Sequence, residues 1–142
     1  MNKVQHNYAV ARAYHETVEE MMKDYEREWI VKNGVKRLDG STPDHLWQLC
    51  LDEEENMFLD YSERLDNDEG YQQLMAEKRT AYQLKTEAED QLIDFALSIV
   101  PASVRATLDA NRHLMKYREK LLDIAFKLDT KTIPASLHAK RR

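Results

Sequence analysis

The sequence predicts an all-α protein of about four long amphipathic helices in an extended bundle or coiled-coil-like arrangement. Three observations carry this. Glycine and proline number only three each in 142 residues, too few for a strand-rich sandwich, a Rossmann turn or a phosphate-cradling loop. Those six residues divide the chain into four long segments. Within the segments, apolar residues recur at three- and four-residue spacing rather than in alternation. The length suits one domain, read as residues 1–130, followed by a mobile basic tail over 131–142.

The first segment, 2–33, places Val4, Tyr8, Ala11, His15, Val18, Met22, Tyr25 and Trp29 on a 4-3-4-3 seam along one side of a helix. At its end, Lys32-Asn33-Gly34-Val35 admits two structures. Asn-Gly between apolar residues is a type I′ turn signal, giving a small β-hairpin around residues 30–38. The same residues fit a Schellman stop, with Gly34 at C′ and Val35 reaching back to Ile30. Because the seam runs unbroken through Trp29, the helix stop is the favoured reading.

Thr42-Pro43-Asp44 reads as N-cap, first-turn proline and acid for a second helix extending to about Leu65. Its stripe is Trp47, Cys50, Leu51, Met57, Phe58, Tyr61 and Leu65, with Glu54 also on it. Asp52, Asp60 and Glu63 occupy the opposite face, and Leu49 and Leu59 are set among the acids. In Asp66-Asn67-Asp68-Glu69-Gly70 a side-chain oxygen caps the third helix, about 71–100. The ends of that helix are apolar, while its middle, with Lys78, Ala81, Lys85 and Ala88, packs through alanines or projects. Pro101 breaks the helix and opens a fourth, running to about Leu128. This last helix uses Val104, Leu108, Leu114, Met115, Leu121, Leu122 and Ala125, interrupted by Asn111 and Arg118.

The net charge of −5 conceals a gradient. Residues 1–100 hold 22 acids against 11 bases, and residues 101–142 hold 4 acids against 10 bases. Ten acids fall within 44–69 against one base, Arg64. Asymmetry of this kind marks a charged partner, an inter-chain contact or a solvated face.

Chemistry-bearing patterns fail when tested. His15-Glu16-Thr17-Val18-Glu19 begins a zincin motif, but Glu19 stands where the second histidine belongs. No histidine follows a glutamate by three residues, so a di-iron helical bundle lacks its ligands. Asp66, Asp68 and Glu77 match three EF-hand positions, but Tyr71 occupies the glycine position. The lone Cys50 excludes an internal disulfide, and its apolar, acidic neighbours would raise a thiol pKa. No cofactor or metal site and no enzyme activity is therefore expected. Polar residues on the seams invite pairing, as in a buried His15–Glu54 contact fixing helix register, whereas Arg118 and Lys85 read as snorkelling to water. The chain opens with no apolar leader and holds no run long enough for a membrane span. A cytoplasmic location is the expectation.

What remains is a non-catalytic helical protein-binding module that acts by stoichiometric contact and self-associates as a homo-oligomer. Its sharper form is an inhibitor of the phage or mobile-element type. There the acidic helix 44–69 would occupy the basic nucleic-acid-binding cleft of a target protein, with carboxylates competing for cations that otherwise meet phosphates. The partner-binding residues would be Leu49, Asp52, Glu53, Glu55, Leu59, Asp60 and Glu63. An alternative is nucleic-acid association through the basic C-terminal helix and tail: Arg105, Arg112, Lys116, Lys120, Lys127, Lys140, Arg141 and Arg142.

Overall fold

The computed structural model describes residues 2–49 and 54–128. Expectations concerning Cys50, Leu51, Asp52, Glu53 and the tail 131–142 lie outside the described residues. Among the described residues the regular secondary structure is all helical: α1 (Lys3–Lys32), a 3-10 turn (Leu46–Leu49), α2 (Glu55–Asp66), α3 (Glu69–Ser98), α4 (Ala102–Ala110) and α5 (Met115–Lys127). The all-α class holds, but the number and bounds of the helices change. No helix spans 42–49. Thr42 and Pro43 are irregular, and Asp44 donates its amide to Gln48 Oε1 at 2.9 Å rather than opening an α-helix. The predicted fourth helix is two helices, broken over 111–114. Asn111 bends its amide back onto Thr107 O at 2.8 Å, an instance of local side-chain bonding competing with helix continuation.

The chain forms two compact units, residues 14–81 and residues 1–13 with 82–142. In the 14–81 unit, α1 ends in the Schellman motif. Gly34 takes φ +64°, Val35 N–H donates to Ile30 O at 3.1 Å, and Gly34 N–H donates to Val31 O at 3.2 Å. No hairpin forms, because two bonds to the last turn satisfy the orphan carbonyls and bury Val35 completely. Val35 joins Trp29, Ile30, Leu46, Leu49 and Leu65 in one core, with Tyr25, Phe58, Tyr61 and Tyr71 packed against it. Arg64 lies over the Trp29 and Tyr61 rings, sealing that aromatic edge.

Asp68 caps α3, accepting the Tyr71 amide at 3.1 Å and the Tyr25 hydroxyl. Gly70 lies directly under Tyr25, where a Cβ would fall 2.8 Å from Tyr25 Cζ. A glycine inside the first turn of α3 is therefore required by packing and not by the backbone. Farther along, Tyr14 donates to Glu77 Oε1 at 3.1 Å, and Ala81 is fully buried, so the thin middle of α3 does pack through an alanine.

In the other unit, Leu92, Ile93, Phe95, Ala96 and Leu97 of α3 meet Tyr8, Leu121, Leu122 and Ala125. Asn2 and Gln5 form a reciprocal cap on α1: Gln5 N–H donates to Asn2 Oδ1 at 2.8 Å, and Asn2 N–H to Gln5 Oε1 at 2.9 Å. The buried Gln5 amide nitrogen then reaches the end of α5, donating to the carbonyls of Ala125 (2.9 Å) and Leu128 (2.8 Å). One side chain thus satisfies a helix start and a helix end. Leu114 and Met115, expected in the core, are 58% and 77% exposed at the break before α5.

Candidate functional site

Two braced carboxylates shape the surface of the 14–81 unit. Glu54, almost wholly buried, accepts Arg37 Nη2 at 3.1 Å and the Leu38 amide at 3.0 Å, tying the connector after α1 to the start of α2. Glu26 accepts the Leu46 amide at 3.0 Å at the head of the 3-10 turn and lies 3.3 Å from His45 Nδ1. The expected His15–Glu54 pair does not form. His15 instead faces Glu19 on its own helix at 2.9 Å, because i,i+4 neighbours share one helical face.

Between those anchors the 3-10 turn inverts the expected roles of Leu49 and Trp47. In a three-residue turn, positions i and i+3 eclipse, so Leu46 and Leu49 stack inward together. Leu49 is fully buried, which removes it from any partner-binding surface. Trp47, placed in the core by α-helical spacing, is instead 65% exposed, with the His45 ring stacked at 11° and 6.3 Å.

On α2 the remaining expected residues keep their positions. Glu55, Leu59, Asp60 and Glu63 are all exposed, Leu59 to 57%. Glu55, Leu59 and Glu63 follow one another at i+4 and so form a single row, with Asp60 beside it. Among the described residues, no ion pair or hydrogen bond engages the carboxylates of Glu55, Asp60 or Glu63. Comparison with protein-family models, curated proteins and solved structures finds no match to the chain. The chemistry of the surface has to be read from its own residues.

The basic residues of the alternative reading are differently placed. Arg112 is committed to protein: Nη1 meets Asp94 at 2.6 Å and Asp109 at 3.0 Å, and Nη2 donates to Asp90 O at 3.2 Å. Arg118 does not snorkel but pairs with Asp90 at 3.0 Å and Glu89 at 3.4 Å. Arg105 closes on Val100 O at 2.8 Å, and Lys127 on Asp123 at 3.1 Å. Lys116 and Lys120 remain exposed on α5. Lys140, Arg141 and Arg142 lie outside the described residues.

Among the described residues, no group of three or more His, Cys, Asp or Glu is placed to hold a metal ion. No described helix is long and apolar enough to cross a membrane.

Proposed function

We propose that this protein is a non-catalytic binding module acting by stoichiometric contact, and that the outer row of α2 engages a basic surface on a protein partner. The observation that carries the reading is the isolation of Glu55, Asp60 and Glu63 around the exposed Leu59. Several other acids are consumed internally: Glu54 by Arg37, Asp94 and Asp109 by Arg112, Asp90 by Arg118. Carboxylates left unpaired on a helix keep their full capacity for an incoming Arg or Lys, and a leucine at their centre supplies an apolar anchor. Trp47, on a turn held by the Leu46 amide on Glu26 and by the buried Leu46 and Leu49, is a second anchor at low entropic cost. A nucleic-acid-binding cleft is the partner surface richest in such cations, and an acidic helix lying there would act as a stoichiometric inhibitor.

The test is affinity capture from host extract, with wild type compared against the Asp60→Lys/Glu63→Lys variant and against Trp47→Ala. A specific partner retained by wild type should be lost with the charge reversal and weakened at least tenfold by Trp47→Ala. A partner set unchanged by the charge reversal would return the row to plain solvation and end this reading.

A further inference from the structure

A lysine-bearing face for the α2 row is present in the same chain, on a helix that also exposes Glu119 and Asp123. On the outer side of α5, Lys116, Lys120 and Ile124 follow one another at i+4, and Tyr117 lies beside them at i+7 from Ile124. All four side chains are exposed, Ile124 to 60%. The neighbouring bases of the region are spoken for, Arg112 and Arg118 by acids of α3 and α4 and Lys127 by Asp123. Lys116 and Lys120 are not engaged among the described residues. A solvated lysine pair next to an exposed tyrosine and isoleucine is a helix face without a partner.

We infer that the partner of this face is α2 of a second copy of the chain. The inference rests on the reading of the α2 row given above, and it names one occupant for it. Charge complementarity is the first argument. Residues 14–81 carry 18 acids against 8 bases, and the rest of the chain carries 8 acids against 13 bases. Two copies therefore meet most favourably with the acidic unit of one against the basic unit of the other, and like faces repel. Pattern is the second argument. Glu55–Leu59–Glu63 and Lys116–Lys120–Ile124 each cover nine residues, eight steps or about 12 Å of helix, so the rows match in length. Each mixes charge with one exposed aliphatic residue; with Leu59 set against Ile124, Lys120 one turn away faces a glutamate of the row, Tyr117 lies at the edge of the contact, and Lys116 reaches past the row. Because the two faces differ, a two-fold pair makes the contact twice, each α2 on the other copy's α5, and a head-to-tail arrangement runs on to a closed ring or an open chain. Opposite charge dominates such a contact, so it strengthens at low ionic strength and is screened by salt. A more basic target would compete with the second copy for the same row.

Analytical ultracentrifugation of the full chain, at low and high sodium chloride, tests this through a charge exchange. Wild type is expected to associate at low salt and dissociate as salt rises. Lys116→Glu/Lys120→Glu alone, and Asp60→Lys/Glu63→Lys alone, should each be monomeric, with circular dichroism showing unchanged helix content. Mixed one to one, they should reassociate, since each variant then presents to the other a complementary α2 and α5. Neutral Lys116→Gln/Lys120→Gln should weaken association at least tenfold and gain nothing from mixing. A wild type that stays monomeric at low salt, or reversed variants that associate like wild type, overturns the inference. So does a mixture that fails to reassociate. If Asp60→Lys/Glu63→Lys loses a captured partner while self-association is unchanged, this inference falls and the proposed function stands; if neither changes, both fall. A Lys116→Glu/Lys120→Glu variant that loses salt-sensitive binding to a labelled DNA duplex but assembles normally would assign the face to nucleic acid and overturn the inference.

Discussion

Tyr25 shows how much one side chain organises in the 14–81 unit. Its hydroxyl donates to Asp68, Asp68 caps α3 through the Tyr71 amide, and Gly70 leaves room for the ring. The Tyr25 hydroxyl, and next the Tyr71 amide, hold the Asp68 carboxyl below its usual range, and the same hydrogen bond raises the Tyr25 phenol. The two shifts have opposite consequences for pH. The depressed carboxyl contributes stability that is present above about pH 4, its unfolded value, and is lost as pH falls through its folded value. The raised phenol contributes stability that is present below about pH 10 and is lost as pH rises through its folded value. Wild type should therefore exceed Tyr25→Phe in urea stability by about 1 kcal/mol across neutral pH, and the gap should close at both extremes. A gap that is flat from acid to alkali would show that the bond contributes nothing. A side-chain cap was legible within residues 66–70, but not that Asp68 supplies it. Tyr25 was legible only as a seam residue, because a bond across 43 positions leaves no local pattern. Gln5 divides the same way: its reciprocal cap with Asn2 is a local motif, but its reach to the end of α5 is not.

At the scale of elements, long periodic segments declared themselves and short ones did not. The seam of α1 and its Schellman end follow from spacing and from one glycine, since both are local. The 3-10 turn was missed because a four-residue stretch is too short for period to separate three from 3.6, and that one error exchanged Leu49 for Trp47 at the surface. The split between α4 and α5 was visible only as Asn111 disturbing the seam. The outcome for α4 is unusual: none of its nine residues is buried. It is held at its start by Arg105 on Val100 O and at its end by Arg112 on Asp109, with little apolar burial to oppose opening. Hydrogen exchange should therefore find α4 opening at a free energy several kcal/mol below that of α3 around Leu92 and Leu97, which are buried in the core. Arg112→Ala should accelerate exchange in α4 by about tenfold or more, because it removes the charged hydrogen bonds that tie Asp109 to Asp94 through the guanidinium, and leave the 14–81 unit unaffected. Equal protection in α4 and α3 would mean that the clamps fix the helix as firmly as burial does.

Across the whole molecule the charge of −5 is a poor description, because the two units carry opposite balances. The 14–81 unit concentrates acids, and its α2 row leaves Glu55, Asp60 and Glu63 without partners among the described residues. Such carboxylates repel one another, and exposed repulsions are the ones that dissolved ions screen. In the other unit the favourable pairs centre on Arg112 and Arg118, whose side chains are only 15% and 17% exposed, so they are screened less. Sodium chloride should therefore act on the two units unequally. Raising ionic strength from about 0.01 M to about 1 M, where the screening length falls from about 30 Å to about 3 Å, should stabilise the 14–81 unit and leave the other nearly unchanged. Both tryptophans, Trp29 and Trp47, lie within residues 14–81, so the urea midpoint by tryptophan fluorescence reads the acidic unit selectively. Amide exchange at Leu92 and Leu97 reads the other. Chloride is the appropriate salt, because sulfate would strengthen apolar burial everywhere and hide the difference. The experiment is run on the Lys116→Glu/Lys120→Glu variant as well as on wild type, since dissociation of an assembled form would lower apparent stability as salt rises. A fluorescence midpoint that falls with salt in both proteins would show that net attraction, not repulsion, governs the acidic unit.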